Sequence, residues 1–410
     1  MSDYLPNEVI IEILSRLPVK SLIRFRCVCK TWCSLIASPH FIATHLNRAL
    51  SKSNAQHPPY LLFHYFDSDF QTQCFTLHYS DDPFPANHSD KHLAFYSSPG
   101  IRTRELSLDQ EIEEIEEKRG YLNDFLHVVG SSNGVVCLAD YVFRKNSGSL
   151  CVLWNPSIQK VILLPDPNIG ANFGGFTSNG PVIRSLGFGY DPKTDDYKLV
   201  KAVYLEDPTH ILHPLVEIYS LRMGAWRSVT TPPPPYVIEL CYVSVFLNGA
   251  VHWRVHTPSG QGDFRNVIVS LDMEDEAFGE LAMPKSLEGV KFLDVNLAVI
   301  DGLLALVPCN EWGIAVTEPH SVWVMKEYGV AESWTKVFDI CIPGRLDRVI
   351  GFTKNGEVLV VDDMGKLFSY EPSSQQALDL NILGGLKDSF YLDTYVESLV
   401  LLNEESGTHL

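Results

Sequence analysis

The side chains of this chain that could carry chemistry are its cysteines and histidines, and their spacing does not suit a reactive site. Cys27, Cys29 and Cys33 form the only close group among nine cysteines. A cysteine zinc site needs a second ligand pair, which is absent, and no HExxH pair, phosphate-binding loop, nucleophile elbow or dinucleotide motif occurs. We therefore expect no catalytic residue, no metal site and no cofactor, and we interpret the cysteines as core packing residues.

The first 50 residues carry apolar side chains at helical spacing. Between Leu5 and Leu17 these side chains recur every three or four positions, which predicts an amphipathic helix. Pro6 suits the first turn of this helix, and Pro18 ends it and can begin the next. Two further helices are expected to carry these apolar residues: Leu22, Phe25 and Val28, then Trp32, Leu35 and Ile36.

Three short helices ending at the break Ser38-Pro39 make a thin bundle. A unit of this size buries only about half to two-thirds of its unfolded surface, so several apolar side chains should stay exposed unless a partner covers them. Residues 1–50 have a net charge of +3, whereas the rest of the chain has −21. An acidic protein partner suits this segment, and the acidic body makes nucleic acid an unsuitable ligand.

After the polar residues 51–59, short alternating runs bounded by Asp, Pro, Ser and Gly predict strands nearly to the end of the chain. Four turns, each followed by an apolar run, favour hairpins with positive φ at both central residues. They are Asn133-Gly134, Asn248-Gly249, Asp301-Gly302 and Asn355-Gly356. Their glycines are 115, 53 and 54 residues apart, and two tryptophans that follow strand ends, Trp226 and Trp334, are 108 residues apart.

A unit of about 50 residues with several short strands is typical of a β-propeller blade. We count six units, with five or seven blades as the alternatives, and expect a last strand over residues 395–402 to close the ring against the first unit. The units cover residues 60–98, 125–165, 183–231, 240–284, 293–343 and 347–382.

The N-terminal segment resembles the F-box, a helical segment that binds the Skp-type adaptor of cullin-RING ubiquitin ligases. The match runs in order over about 40 residues, through Leu5-Pro6, Ile13-Leu14-x-x-Leu17-Pro18, Val28-Cys29-Lys30-x-Trp32 and Phe41. The resemblance places the adaptor contacts on Leu5, Pro6, Val9, Ile13, Leu14, Leu17, Pro18, Leu22, Val28 and Trp32. Some of these residues could instead only pack against one another, an alternative that is most open for Leu14, Phe25 and Trp32.

The body is similar to the F-box associated domain of plant F-box proteins, often described as Kelch-like. The matching strings include Ser132–Leu138, Leu153–Ser157, Gly187–Pro192, Asp196–Val200 and Val216–Leu221, whereas the double-glycine Kelch signature is poor. The similarity extends to the S-locus F-box type, which includes pollen factors of self-incompatibility, and the sequence leaves membership of that subgroup open. The resemblance implies an N-terminal α-helical F-box, residues 1–50, a linker, 51–59, and an all-β propeller, 60–405.

In this family the propeller binds the protein to be ubiquitinated, so the resemblance implies a substrate receptor without catalytic activity of its own. The alternatives are a scaffold outside any ligase and a propeller enzyme. No apolar run is long enough to span a bilayer and no signal peptide pattern is present, so we expect a cytoplasmic or nuclear protein without a membrane partner. Specificity should lie in loops at one rim, for which the candidates are Asn168–Pro181, Leu205–His213, His256–Phe264 and Cys309–Glu318.

Two further segments have simple interpretations. The acidic run Glu111–Arg119 favours a solvated insertion over a patch for a basic partner, and Pro232–Pro235 favours a stiff loop between blades over a polyproline ligand.

Overall fold

The computed structural model describes residues 6–51, 60–67, 72–79, 95–97, 126–139, 151–168, 182–204, 214–234, 236, 244–257, 265–288, 294–309, 320–353, 355–384 and 390–402. Within these ranges, no helix is both long and apolar enough to cross a membrane. The acidic run 111–119 lies outside them.

Residues 6–51 form a helical head of four helices, one more than the sequence pattern predicts. The helices are α1 (Asn7–Leu14), α2 (Val19–Phe25), α3 (Lys30–Ile36) and α4 (Pro39–Leu50). The expected break at Ser38-Pro39 is confirmed, since α3 ends at Ile36, but the same pair also begins the unpredicted α4. The Ser38 hydroxyl accepts a hydrogen bond from the backbone N–H of Phe41 at 3.2 Å, and Pro39 occupies the first turn of α4. Serine caps a helix and proline tolerates its first turn, so these residues start a helix. Val28 lies beyond the end of α2.

The described part of residues 60–395 contains twenty-four strands in six four-stranded antiparallel sheets. The first sheet combines β1 (Tyr60–Asp67), β2 (Thr72–Tyr79) and β3 (Phe95–Ser97) with β24 (Tyr391–Tyr395), and the second contains β4 (His127–Ser132), β5 (Val135–Ala139), β6 (Cys151–Asn155) and β7 (Lys160–Leu163). The third contains β8 (Val182–Asp191), β9 (Asp196–Tyr204), β10 (Leu215–Ser220) and β11 (Ala225–Ser228).

The fourth sheet contains β12 (Val245–Leu247), β13 (Ala250–His256), β14 (Asn266–Asp272) and β15 (Phe278–Ala282), followed by the short helix α5 (Lys285–Glu288). The fifth contains β16 (Asp294–Ile300), β17 (Leu303–Cys309), β18 (His320–Met325) and β19 (Trp334–Ile340). The sixth contains β20 (Leu346–Phe352), β21 (Val358–Asp362), β22 (Lys366–Glu371) and β23 (Gln376–Leu383).

The six sheets are the blades of a closed propeller. The strands β24, β4, β8, β12, β16 and β20 contact one another in that order around the ring, and β20 contacts β24 again. The ring closes because β24, from the end of the chain, pairs antiparallel with β1 from Tyr60↔Tyr395 to His64↔Tyr391. The six-bladed prediction is confirmed, but the expected closing strand over residues 395–402 is wrong, since the strand ends at Tyr395.

The Asn-Gly and Asp-Gly turns join the first two strands of their blades. The φ angles are 52° and 80° at Asn133-Gly134, 51° and 79° at Asn248-Gly249, and 49° and 75° at Asp301-Gly302, as the type I′ prediction requires. At Asn355-Gly356 only the glycine has positive φ, 88°, and the backbone N–H of Gly356 donates to the carbonyl of Thr353 at 3.0 Å. This fourth turn is therefore a different type from the one predicted.

Antiparallel pairing gives the propeller two unlike faces. One, the turn face, carries the short connections within blades, such as 133–134, 156–159 and 221–224. At the other, the loop face, the connections between blades and those between second and third strands begin and end. All four candidate specificity loops begin and end at the loop face, although residues 169–181, 205–213, 258–264 and 310–319 lie outside the described ranges.

Two tryptophans tie neighbouring blades together. The indole N–H of Trp226, on β11, donates to the carbonyl oxygen of Pro165 after β7 at 2.7 Å. The indole N–H of Trp334, on β19, donates to that of Ala282 at the end of β15 at 2.8 Å. The period that the two tryptophans mark in the sequence thus corresponds to one repeated contact between an outermost strand and the preceding blade.

Candidate docking surfaces of the head and the propeller

The apolar residues of α1 divide between the interior of the head and solvent. Leu14 is 2% exposed and Ile10 packs beside it in the head core, whereas Val9 is 41% and Ile13 49% exposed. Pro6, Val9 and Ile13 lie three and four residues apart, so they share one side of the helix. We call these three exposed residues the α1 stripe.

The remaining predicted adaptor contacts have different environments. Pro18 is exposed and Val28 is 61% exposed, so both offer surface to a partner. Leu17 and Trp32 are half-buried, and the Trp32 ring lies 5.5 Å from that of Phe25. Leu22 is fully buried, and Leu14 nearly so, hence these two stabilise the head and offer no surface to a partner in this structure. Leu5 lies outside the described residues.

Charged side chains border the α1 stripe. Hydrogen bonds from Arg16 and Arg48 to Glu12 lower the pKa of that carboxyl, and the Arg48 Nη2 to Glu12 Oε2 distance is 2.7 Å. Lys20 and Arg24, on α2, are exposed. The head thus presents exposed apolar side chains on α1 and exposed cationic side chains on α2, a combination that suits a partner with apolar and acidic groups.

The head sits on the turn face of the propeller. Ile158, in the short 3-10 helix Pro156–Ile158 between β6 and β7, packs against the head core, and α2 contacts that 3-10 helix. Leu399 and Leu402, which follow β24 on the same face, also join the head core. The loop face is therefore on the side of the propeller away from the head.

Buried polar groups lie near the loop face between the second and third blades. Lys201 and Glu217 are cross-strand partners on β9 and β10 and are 4% and 1% exposed. Burial lowers the pKa of Lys201, although Cys151, Glu217 and Asp166 nearby act in the opposite direction. This arrangement places charge at the base of the connections that the sequence predicts to bind a target.

A small apolar cleft lies between the third and fourth blades. Its lining includes Pro233 and Pro234 of the proline run, together with Trp253 and Val255. The side chain of Tyr236 also lines this cleft, and its hydroxyl accepts a hydrogen bond from Arg265 at 3.1 Å. The proline run therefore packs between blades at these positions.

The described cysteines divide between the core and the surface. Cys74, Cys137 and Cys151 are buried, as the core interpretation predicts, but it is wrong for the exposed Cys27, Cys29 and Cys341. Within the described ranges, no group of three or more His, Cys, Asp and Glu side chains could hold a metal ion. His252 is buried, and its Nε2 atom lies 2.7 Å from the Tyr328 hydroxyl.

The contact between head and propeller depends on residues that sequence reasoning missed. Asn155 lies in the string Leu-Trp-Asn-Pro, which repeat analysis treats only as the end of a strand, yet its side chain binds the backbone near the C-terminus. Leu399 lies in an apolar run that resembles a strand. No local signal in the sequence connects these two positions.

Comparison with known families agrees with this two-part geometry. The F-box domain family matches residues 3–44, and the F-box associated beta propeller domain family matches residues 83–398. This chain belongs to the F-box associated β-propeller family. It is a plant-type F-box protein with an F-box associated domain.

Relatives in Arabidopsis thaliana match this chain over most of their length. An F-box/kelch-repeat protein is 29% identical over 349 residues, which are 84% of this chain and 81% of the relative. The F-box protein CPR1 is 27% identical over 422 residues, which are 97% of this chain and 89% of the relative.

Solved structures similar to this F-box protein include other propellers at low identity. The Hadza microbial sialidase Hz136 is 11% identical, with a TM-score of 0.43 and coverage of 66% of this chain and 65% of the sialidase. An exo-beta-1,3-galactanase from Phanerochaete chrysosporium is 11% identical, with a TM-score of 0.38 and coverage of 68% of this chain and 62% of the galactanase. At these scores the likeness carries no argument about activity.

Proposed function

We propose that this F-box protein is the substrate-recognition subunit of a Skp-cullin-F-box ubiquitin ligase. The head binds the Skp-type adaptor, which links it to a cullin, and the loop face of the propeller binds the target protein. The protein acts in the cytoplasm or nucleus and brings target lysines near the charged ubiquitin-conjugating enzyme. Its contribution is proximity, which raises the effective concentration of the two reacting groups, while catalysis resides in other subunits.

The observation that carries this proposal is the exposed α1 stripe within a segment that matches the F-box family. Two aliphatic side chains on one side of a short helix, with a proline before them, form an apolar surface that a partner helix can cover. Full burial of an exposed aliphatic side chain contributes about 1.5–3 kcal/mol to the free energy of association, and Val9 and Ile13, already about half-buried, can each supply roughly half of that.

The position of the head supports a division of labour between the two faces. Because the head lies on the turn face, a target can occupy the loop face without displacing it. Loops tolerate sequence change that propeller strands do not, so target specificity belongs on that face.

A binding assay with the full chain and a Skp-type adaptor tests the proposal. The double substitution Val9→Glu, Ile13→Glu puts two carboxylates into the stripe, and we expect at least about 100-fold weaker adaptor binding. Leu378→Glu is the matched control, because Leu378 is 56% exposed on the outermost strand of the sixth blade. The proposal fails if the wild-type chain does not bind the adaptor or if the double variant binds as tightly as wild type.

A further inference from the structure

Residues 396–402, which we call the C-terminal strap, leave the first blade after β24 and cross the turn face. The strap lies against Gly134, where an added Cβ would overlap the carbonyl oxygen of Val396 and the hydroxyl of Ser398. A glycine is therefore needed at position 134 for two reasons. Its φ of +80° allows the turn, and the absence of a side chain leaves room for the strap.

Leucines of the strap pack against both parts of the protein. Leu399 is fully buried in the head core, together with Leu14, Leu22 and Phe41. Leu401 is 4% exposed and belongs to the core cluster between the second and third blades. The strap thus packs against two apolar cores, and Ile158 of the 3-10 helix lies beside it in contact with both.

Polar contacts hold the strap to the second blade. The Asn155 side-chain N–H₂ group donates to the carbonyl oxygens of Ser398 at 3.1 Å and Val400 at 2.8 Å. The Tyr395 hydroxyl lies 2.7 Å from that of Ser157. Since Asn155 and Ser398 are both completely buried, water does not compete for these bonds.

The backbone of the strap has an uncommon conformation at Leu401. Its φ is +70°, in the left-handed region that a branched side chain rarely adopts. The backbone N–H of Leu402 donates to the carbonyl of Leu399 at 3.1 Å, which closes a turn around this residue. Such a conformation persists only where surrounding contacts hold it, and here those contacts come from both the head and the propeller.

We propose that the strap is a positioning element. Leu399 completes the head core, and the strap holds the head at one orientation on the turn face. An adaptor on the α1 stripe and a target on the loop face therefore keep a constant separation. This inference rests on the proposed function for its purpose, but the rigid coupling itself can be measured without any partner.

The coupling is tested in the full chain by the distance between two spin labels. One label is placed at Asn47 on α4 and the other at Met364 on the loop face, both exposed, with other reactive cysteines replaced by serine. We expect a single narrow distance distribution in the otherwise wild-type chain. In Leu399→Ala the distribution should be at least about twice as broad, because truncation of a buried leucine leaves a cavity in the head core. Leu399→Met, which nearly conserves volume, should restore the narrow distribution.

Hydrogen exchange supplies a second readout. In Leu399→Ala, amides of α1, α2 and α4 should exchange about ten-fold faster or more, while those of β13 and β17 stay unchanged. Leu378→Ala, a truncation at an exposed position, should change neither readout. If Leu399→Ala unfolds the whole chain, the milder Leu402→Ala should give an intermediate broadening.

A narrow distribution and unchanged head exchange in Leu399→Ala would overturn the strap proposal, whatever the adaptor does. Failure of the wild-type chain to bind the adaptor, with a distribution that broadens as expected, would instead overturn the proposed function and leave the strap as a structural coupling.

Discussion

The side-chain N–H₂ group of Asn155 donates a 2.8 Å hydrogen bond to the carbonyl oxygen of Val400, 245 residues further along the chain. The same amide accepts a bond from the backbone N–H of Ser157 at 2.9 Å, so one side chain both caps a 3-10 helix and holds the strap. The contact joins the second blade to the segment that reaches the head.

Substitution Asn155→Ala should lower the free energy of unfolding by about 3 kcal/mol or more. It leaves the buried carbonyl of Ser398 and the half-buried carbonyl of Val400 without their side-chain donor, and an unpaired buried group costs about 1–3 kcal/mol. Chemical denaturation measures the change, and Asn47→Ala, at an exposed position on α4, is the control with an expected effect within about 0.5 kcal/mol. A cost below about 1 kcal/mol at Asn155 would show that the strap is not held by this residue.

Two glycines with the same backbone conformation should respond differently to alanine. Gly134 and Gly249 have φ of +80° and +79°, but only Gly134 has atoms within 4 Å of an added Cβ. Gly249→Ala should lower the free energy of unfolding by only about 1–2 kcal/mol, because alanine is strained in the left-handed conformation. Gly134→Ala adds the overlap with Val396 and Ser398, so its cost should be at least about 2 kcal/mol larger. Equal costs in denaturant unfolding would contradict the close approach of the strap.

The tryptophan ties between blades should act independently. Trp226→Phe and Trp334→Phe each remove an indole donor from a backbone carbonyl, and each should cost about 1–3 kcal/mol. The two sites lie in the third and fifth blades with separate hydrogen-bond partners, so the double variant should show the sum within about 0.5 kcal/mol. Strong non-additivity in unfolding measurements would indicate that the blades are coupled in another way.

The buried Lys198 side chain pairs with one carboxylate of its own third blade and one of the fourth. Lys198 Nζ lies 2.8 Å from Asp191 Oδ2 and 3.0 Å from Glu276 Oε1, with the Lys198 and Asp191 side chains 5% and 0% exposed. Lys198→Met leaves the buried carboxylate of Asp191 unpaired and should cost about 3–5 kcal/mol. Lys193→Met is the control, because Lys193 pairs with Glu274 at 2.6 Å but is 62% exposed, and its loss should cost at most about 1 kcal/mol.

The contribution of this pair should depend on pH. Burial alone raises the pKa of Asp191, but hydrogen bonds from Lys198 and Thr194 outweigh it and lower the pKa below its usual value. A lowered pKa means that the stabilisation is complete above the unfolded pKa of about 4 and is lost as pH falls through the lower folded value. The unfolded-state pKa is the same in wild type and in Lys198→Met. Measured from acid to neutral pH, the difference in unfolding free energy between these chains should therefore narrow as pH falls from the folded-state pKa of Asp191 in the variant to its lower value in the wild type. A difference in unfolding free energy that stays constant with pH would contradict the conclusion that Lys198 stabilises the ionised form of Asp191.

Local signals made much of this fold predictable. The turns at Asn133-Gly134, Asn248-Gly249 and Asp301-Gly302 need positive φ at both residues, and few other dipeptides adopt it, so the blade period was visible from them. Trp226 and Trp334 marked the same period because both make the same contact with the preceding blade.

Long-range contacts were beyond sequence reasoning. Spacing places Val9, Ile10, Ile13 and Leu14 on α1, but it does not say that Val9 and Ile13 face solvent, because all four side chains are apolar. The run that contains Leu399 has the composition of a strand, and only contacts with Asn155 and the head direct it out of the sheet. At Ser38-Pro39 the serine is a typical N-cap, but a proline also commonly ends a helix, so the start of α4 was not predicted.

Hydrogen exchange of the full chain with and without a Skp-type adaptor shows whether the head is the adaptor-binding surface. We expect the adaptor to slow exchange about ten-fold or more in α1 and in residues 18–28, and to leave the connections of the loop face unaffected. Absence of protection in α1, or protection confined to the loop face, would contradict adaptor binding by the head.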